Sequence, residues 1–282
     1  MTAFNDVTIF GLRISNHSHN EAIALIEQMI LERRDAASSI FIANTHTLNL
    51  AHEDRYYHAV LSRANKVFAD GTGARWAARL RGVKLKANLV GTDLVPNLFE
   101  ATAGKGYRYF LLGGRKDTVE NAAKTCVRLY PGWSLVGFQH GYLNERETAQ
   151  TIDDINAVRP DLLLVAMGNP LQERWIDKHR SRLTVPVRIG VGGLIDHWAG
   201  NLTRAPHWVR RHGCEWVQIL LQQPHKWRRY IVGNPKFLFR IVRELSRDQR
   251  IPIATDDHAV NVNVLGSVKS AVSNGRYPAG RP

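Results

Sequence analysis

Apolar residues in this chain come as short unbroken runs, separated by stretches where they recur every three or four positions. Residues 161–167, Asp-Leu-Leu-Leu-Val-Ala-Met, are almost wholly apolar and show no polar alternation. Such a run predicts a strand buried on both faces, which requires a parallel sheet covered by helices. Gly168-Asn169-Pro170 stops the run, and residues 171–182 continue at helical spacing. Glycine permits an unusual backbone angle there, and proline fits the first turn of a helix. The same alternation recurs along the chain. It predicts a strand or hairpin arm over 7–14 and strands over 39–43, 66–69, 107–112, 133–138 and 187–191. Ser18 can cap a helix whose apolar face is Ala22, Ile23, Leu25, Ile26, Met29 and Ile30. Further helices are predicted over 48–64, 74–80, 94–103, 117–129 and 145–158. Strand–helix alternation from 39 to 193 predicts an α/β fold with a doubly wound, mainly parallel sheet.

The predicted strands end in Asn44-Thr45, Asp70-Gly71, Gly113-Gly114, Gly168-Asn169 and Gly192-Gly193. In a doubly wound sheet those ends share one edge, the edge where open α/β sheets bind ligands. Helix N-termini at that edge carry bare N–H groups suited to an anion. Each end also has a plainer reading. Asn44-Thr45-His46-Thr47 serves as a capping cluster, and Asp70 is most simply the N-cap of the next helix. Gly91-Thr92-Asp93 is another capped start. Gly113-Gly114-Arg115 is like a nucleotide-binding turn but lacks the dinucleotide glycine pattern. Gln172 and Glu173 open a helix at the same edge, where either contacts a ligand or Glu173 only favours its helix N-terminus by charge.

Charge changes the picture of the last quarter. The 282 residues carry a formal net charge of +13 with 22% charged residues. Residues 203–250 hold eleven Lys or Arg against Glu215, Glu244 and Asp248, and so carry most of that excess. Trp208, Trp216, Trp227, Tyr230, Phe237 and Phe239 are interleaved. Pro224 and Gly233-Asn234-Pro235 divide the segment into about three helical pieces. Basic and aromatic residues on short helices suit an anionic membrane surface. They suit nucleic acid as well, through phosphate contact and stacking, and a solvated basic face is the plain alternative. Periodicity is lost after 250. The chain thus divides into an α/β domain at 1–202, a basic helical appendage at 203–250 and a tail at 251–282 expected to be disordered. Two cysteines, Cys126 and Cys214, and twelve scattered histidines show no metal-ligand spacing, so no metal or cofactor is expected. No signal peptide or membrane span is expected, which predicts a cytoplasmic, soluble or peripheral protein.

Several separated blocks, in one order, carry a resemblance. They are Asn44 before a helix; Ala69-Asp70-Gly71-Thr72-Gly73; Gly91-Thr92-Asp93-Leu94; Phe110-Leu111-Leu112-Gly113-Gly114; and His140-Gly141-Tyr142. Then come Arg159-Pro160-Asp161 through Gly168-Asn169-Pro170-Leu171-Gln172-Glu173; Gly190-Val191-Gly192-Gly193; Arg204-Ala205-Pro206-His207-Trp208; Glu215-Trp216; and Gly233-Asn234-Pro235. Over about residues 5–245 the chain resembles the WecG/TagA/CpsF glycosyltransferase family. The resemblance implies a Rossmann-like sheet that binds a UDP-sugar. It implies inverting, metal-independent transfer to a polyprenyl-diphosphate-linked sugar, for cell-surface or exopolysaccharide synthesis. The implied location is the inner face of the cytoplasmic membrane, with the basic appendage docked there and helping to close the active site.

Asp70 matches the acid proposed as the family's general base. The family often has Thr-Pro-Asn where this chain has Ile42-Ala43-Asn44, so the family's hydroxyl is missing at Ile42, and Thr45 and Thr47 are the candidates to replace it. The departure leaves the donor open between N-acetylmannosamine and a hexose such as glucose. Expected substrate-binding residues are Asn44, Gly71, Thr92, Asp93, Gly113, Gly114, Gly168, Asn169, Pro170, Gln172, Glu173, Gly192 and Gly193. Arg204 and Arg228 are expected as diphosphate clamps, because guanidinium binds phosphate bidentately. A nucleic-acid-binding module is the alternative, and it explains neither Asp70 nor the glycine-rich ends. Homo-oligomerisation is left open.

Overall fold

The computed structural model describes residues 6–32, 37–206 and 215–248. The expected disordered tail, 251–282, and His207 and Trp208 lie outside the described residues. The chain opens with a hairpin of β1 (Val7–Ile9) and β2 (Leu12–Ile14). The main sheet is built from β3 (Ser38–Ala43), β4 (Lys66–Ala69), β5 (Arg108–Gly113), β6 (Ser134–Gln139), β7 (Leu162–Ala166) and β8 (Val187–Gly190). Their order is β4-β3-β8-β7-β5-β6, and every pairing is parallel. The hairpin hangs on the β4 edge, where the Ser15 N–H donates to the Val67 carbonyl at 2.8 Å.

Local chemistry sets the helices. α1 (His19–Glu32) opens in a reciprocal cap: Glu21 N–H donates to Ser18 Oγ, and Ser18 N–H to Glu21 Oε2 at 2.8 Å. The helix predicted over 48–64 is two helices, α2 (Thr45–Glu53) and α3 (Arg55–Ser62). Asp54 divides them: its backbone is extended and its Oδ1 accepts the Tyr57 N–H at 3.0 Å. Then follow α4 (Gly71–Leu80), α5 (Gly91–Ala101), α6 (Lys116–Leu129), α7 (Glu145–Val158), α8 (Leu171–Lys178) and α9 (Leu194–Trp198). α8 ends short of the expected residue 182. The basic segment forms α10 (Glu215–Gln222), a 3-10 turn (Pro224–Lys226), α11 (Trp227–Ile231) and α12 (Gly233–Asp248). Gly233-Asn234-Pro235 thus begins a helix, with proline in its first turn.

Two hydrophobic clusters sandwich the sheet. Phe41, Ala43, Leu163 and Val165 point into one, and Ile40, Ile42, Leu162 and Leu164 into the other. Alternate strand positions face opposite ways, so an unbroken apolar run is what such a strand needs. α2, α4 and α8 contribute to the first cluster, α6 and α9 to the second. Neighbouring strands β3, β8, β7 and β5 therefore send their following helices to opposite faces. The carboxyl edge opens between those helix starts into a cleft. α12 belongs to the first cluster through Phe237 and Ile241, which are 4% and 0% exposed. Ion pairs reinforce it: Lys236 and Arg240 each lie 2.8 Å from Glu53, and Arg81 lies 2.7 Å from Glu244.

Candidate active site

The cleft is a cavity of about 990 Å³, within the range of a nucleotide-sized ligand site. Asn44, Asp70, Thr92, Gly114, Gly168, Asn169, Gln172, Gly192 and Gly193 line it, so five strand ends and the start of α5 converge as the sequence implied. The basic segment supplies a wall: Ile219, Gln223, Lys226, Arg229 and Tyr230. A second cavity of about 600 Å³ adjoins it, lined by Thr45, Gly71, Trp76, Leu80, Trp216, Phe237 and Leu238 among others. Its walls are largely apolar. Asn44, His46, Asp70, Ile219, Arg229 and Tyr230 line both cavities and form the partition between them.

Asp70 occupies the N-cap position of α4, yet its side chain makes no cap hydrogen bond. The Gly71 N–H goes instead to Asn88 Oδ1 at 2.6 Å. The simple capping reading of Asp70 is therefore displaced, and its carboxyl belongs to the partition. Asn44 does cap: its Oδ1 accepts the N–H groups of His46 at 3.0 Å and Thr47 at 3.2 Å, while its residue also lines both cavities. Thr47 is buried, with its hydroxyl donated to Asn44 Oδ1. Thr45 lines the apolar cavity.

Other expected site residues stand apart from both cavities. Arg204 donates to Thr92 Oγ1 and lies 3.0 Å from Asp93, tying the chain after residue 202 to the start of α5. Arg228 is exposed, its guanidinium 5.4 Å from the Trp227 ring centroid, whereas the next residue, Arg229, lines both cavities. Gly113 and Pro170 lie behind the lining. The Gly114 N–H is spent on the Ala166 carbonyl at 3.1 Å and the Gly192 N–H on Gln172 Oε1 at 3.1 Å, so neither serves an anion. Positive charge comes from side chains that sequence reading passed over, Arg115, Lys226 and Arg229. His46, hidden in a capping pattern, is held at about 4, first by burial and then by Arg229, and is neutral at pH 7. Among the described residues, no group of three His, Cys, Asp or Glu gathers as a metal site needs.

Glu173 is not a ligand-facing acid; it is fully buried beneath the cavity floor. Burial raises it to about 7, against hydrogen bonds from Gln172, Tyr57 and Asn169 that favour the charged form. A carboxyl raised on folding stabilises fully below its ordinary value of 4.5, and that contribution is lost as pH rises through about 7. The gap corresponds to roughly 3 kcal/mol. Glu173→Gln removes the titration. Between pH 5 and pH 8 the stability of the variant, measured by urea unfolding, is expected to gain roughly 2 kcal/mol on wild type. A constant difference across that window would refute the assignment.

The match to known proteins follows this geometry. Residues 7–251 match the profile of the Glycosyl transferase WecG/TagA/CpsF family. The chain belongs to that family. It is 30% identical over 237 residues to an N-acetylglucosaminyldiphosphoundecaprenol N-acetyl-beta-D-mannosaminyltransferase of Bacillus subtilis (strain 168), covering 84% of this chain and 91% of that protein. It is 35% identical over 188 residues to the protein of that name in Bacillus spizizenii (strain ATCC 23059 / NRRL B-14472 / W23), covering 66% and 72%. A third relative of that name, in Staphylococcus aureus (strain MW2), is 28% identical over 239 residues, covering 84% and 92%. The family's name gives glycosyl transfer as the activity to which the cleft must be related.

Proposed function

We propose that the chain moves a sugar, N-acetylmannosamine or a hexose, from a UDP-sugar to a polyprenyl-diphosphate-linked sugar, with inversion and without metal. The observation that carries this reading is the partition: Asp70 stands where a cavity bearing three basic side chains meets a more apolar one. The first cavity, with Arg115, Lys226 and Arg229, suits a nucleotide diphosphate, and the more apolar second one suits an acceptor joined to a lipid. Asp70 accepts the proton of the acceptor hydroxyl as that oxygen bonds to the anomeric carbon. The bond from that carbon to the diphosphate oxygen breaks, and its electron pair leaves with UDP. Arg229 and Lys226 balance the charge that develops on the leaving oxygen. Of Thr45 and Thr47, it is Thr45 that lines the acceptor cavity, since Thr47 is buried and bonded to Asn44. The relatives' names support an acceptor of the N-acetylglucosaminyl-diphosphoundecaprenol type.

The test is a panel of UDP-sugars offered with prenyl-diphosphate-linked N-acetylglucosamine and scored for product. No product from any donor would overturn the reading. The relatives' lipid-linked acceptor supports work at the inner face of the cytoplasmic membrane, and so does the exposed surface of α10–α12. Leu221, Ile231 and Phe239 are 76%, 57% and 67% exposed there, beside the exposed Arg228, Arg243 and Arg247. No helix among the described residues is long and apolar enough to cross a membrane. Each basic side chain near an anionic surface contributes about 1 kcal/mol. Replacing Arg228, Arg243 and Arg247 together with glutamine is therefore expected to weaken binding to phosphatidylglycerol vesicles about a hundredfold, read by sedimentation. Unchanged binding would remove this face from the docking surface. Nucleic acid as the partner of the basic segment would leave the partition without a role.

A further inference from the structure

One carboxyl oxygen gathers two amides beneath the first cavity. Glu173 Oε1 accepts from Asn169 Nδ2 at 2.6 Å and from Gln172 Nε2 at 2.7 Å, while Oε2 accepts from Tyr57 Oη at 3.1 Å. An amide that turns its nitrogen inward turns its oxygen away. The Gln172 oxygen meets the Gly192 N–H at 3.1 Å, so both ends of that side chain are spent on the protein. Gly190 makes room for it, since a Cβ there would stand 2.9 Å from Gln172 Nε2. Asn169 lines the cavity, and its nitrogen is committed to Glu173.

We propose that Glu173 is a positioning residue that locks the Asn169 amide with its oxygen toward the ligand, so that this wall of the cavity selects a ligand group bearing an N–H or O–H. The proposal rests on reading the cavity as the nucleotide-sugar site. Either charge state of Glu173 preserves the arrangement. Ionised, both its oxygens accept. With a proton on Oε2 directed at the Tyr57 oxygen, Oε1 still accepts both amides. A flipped Asn169 would set oxygen against oxygen at Oε1, and two acceptors so close in a buried site are costly. The donor group selected belongs either to the nucleoside or to the transferred sugar.

Glutamine at 173 reproduces the protonated form, because its oxygen accepts both amides and its nitrogen donates to the Tyr57 oxygen. Methionine does not. Side-chain amide NMR reads the lock with no ligand present: slowed solvent exchange of the Asn169 and Gln172 NH2 groups is expected in wild type and Glu173→Gln, and fast exchange in Glu173→Met. In steady-state assays Glu173→Met is expected to raise KM for the UDP-sugar about tenfold with acceptor KM unchanged, and Glu173→Gln to restore it. Fast exchange in wild type, or a Glu173→Gln variant that behaves as the methionine variant does, overturns the proposal. If Glu173→Met does not fold, the near-isosteric glutamine variant still tests the lock through its exchange rates and its KM.

Asn169→Ala is then titrated with UDP and with the UDP-sugar. Weakened binding of both supports selection of the nucleoside; weakened binding of the UDP-sugar alone supports selection of the sugar. Unchanged binding of both overturns the proposal. If no UDP-sugar binds to wild type, it is the nucleotide-sugar reading that fails, and the exchange measurement still decides the lock.

Discussion

Asp70→Asn is expected to lower turnover about a thousandfold while UDP affinity stays within about twofold. The substitution keeps size and one accepting oxygen but removes the proton acceptor. General-base assistance contributes about 10²–10⁴ in rate, and among the described residues no other carboxyl lines both cavities. His46 shares the partition and is neutral at pH 7, but with its pKa at about 4 it is no stronger a base than a carboxylate. The Asp70 side chain makes no cap bond to α4, so the start of that helix does not depend on the carboxylate, and urea unfolding of the variant checks that the fold is kept. Single-turnover measurement with preloaded donor separates chemistry from product release. A variant that turns over at the wild-type rate would remove Asp70 from the reaction. One that loses UDP affinity as well would make it a binding residue.

Gly113→Ala is expected to destabilise the domain by roughly 3 kcal/mol or more, enough to abolish soluble expression of a marginally stable chain. Two independent causes act there. Its φ of +141° is a conformation L side chains rarely adopt. A Cβ would also stand 2.2 Å from the Ala166 carbonyl oxygen and 2.5 Å from its carbon, both backbone atoms of the neighbouring strand. That strand cannot retreat, because β7 is buried on both faces and pairs with β8 on its other side. Relief would have to come from separating β5 and β7 at the lip of the cleft. Gly113 is thus required behind the site without lining it. A Gly113→Ala variant that unfolds in urea at the wild-type midpoint would show this closeness to be unimportant.

Much of this was legible in the chain itself. Leu162–Ala166 announces a doubly covered strand because a strand buried on both faces cannot alternate. Asp70, Gly168 and Gly192 could be assigned to one edge because parallel strands share direction. What escaped depended on contacts between distant residues. Glu173 sits in the first turn of α8, where an acid usually faces solvent and the helix dipole; its burial depends on Tyr57, which is 116 positions away. The choice between Arg228 and Arg229 is a matter of helix phase, and α11 is too short for its own apolar pattern to set that phase. His46 was hidden because Asn44 satisfies a capping pattern and lines the cleft as well. The bond from Arg204 to Asp93 joins residues 111 apart, and only the closed fold reveals that this arginine is already engaged.

Phe237 and Ile241 have a practical consequence. Burying such side chains is worth about 1.5–3 kcal/mol each, and their partners are the opening hairpin and α2 and α4. The carboxyl-terminal helices therefore cannot be treated as a removable cartridge, to be cut away for crystallisation or exchanged between relatives at residue 202. A more soluble variant is better sought by repainting the outward side chains of α12 with polar residues while leaving its inward pair untouched.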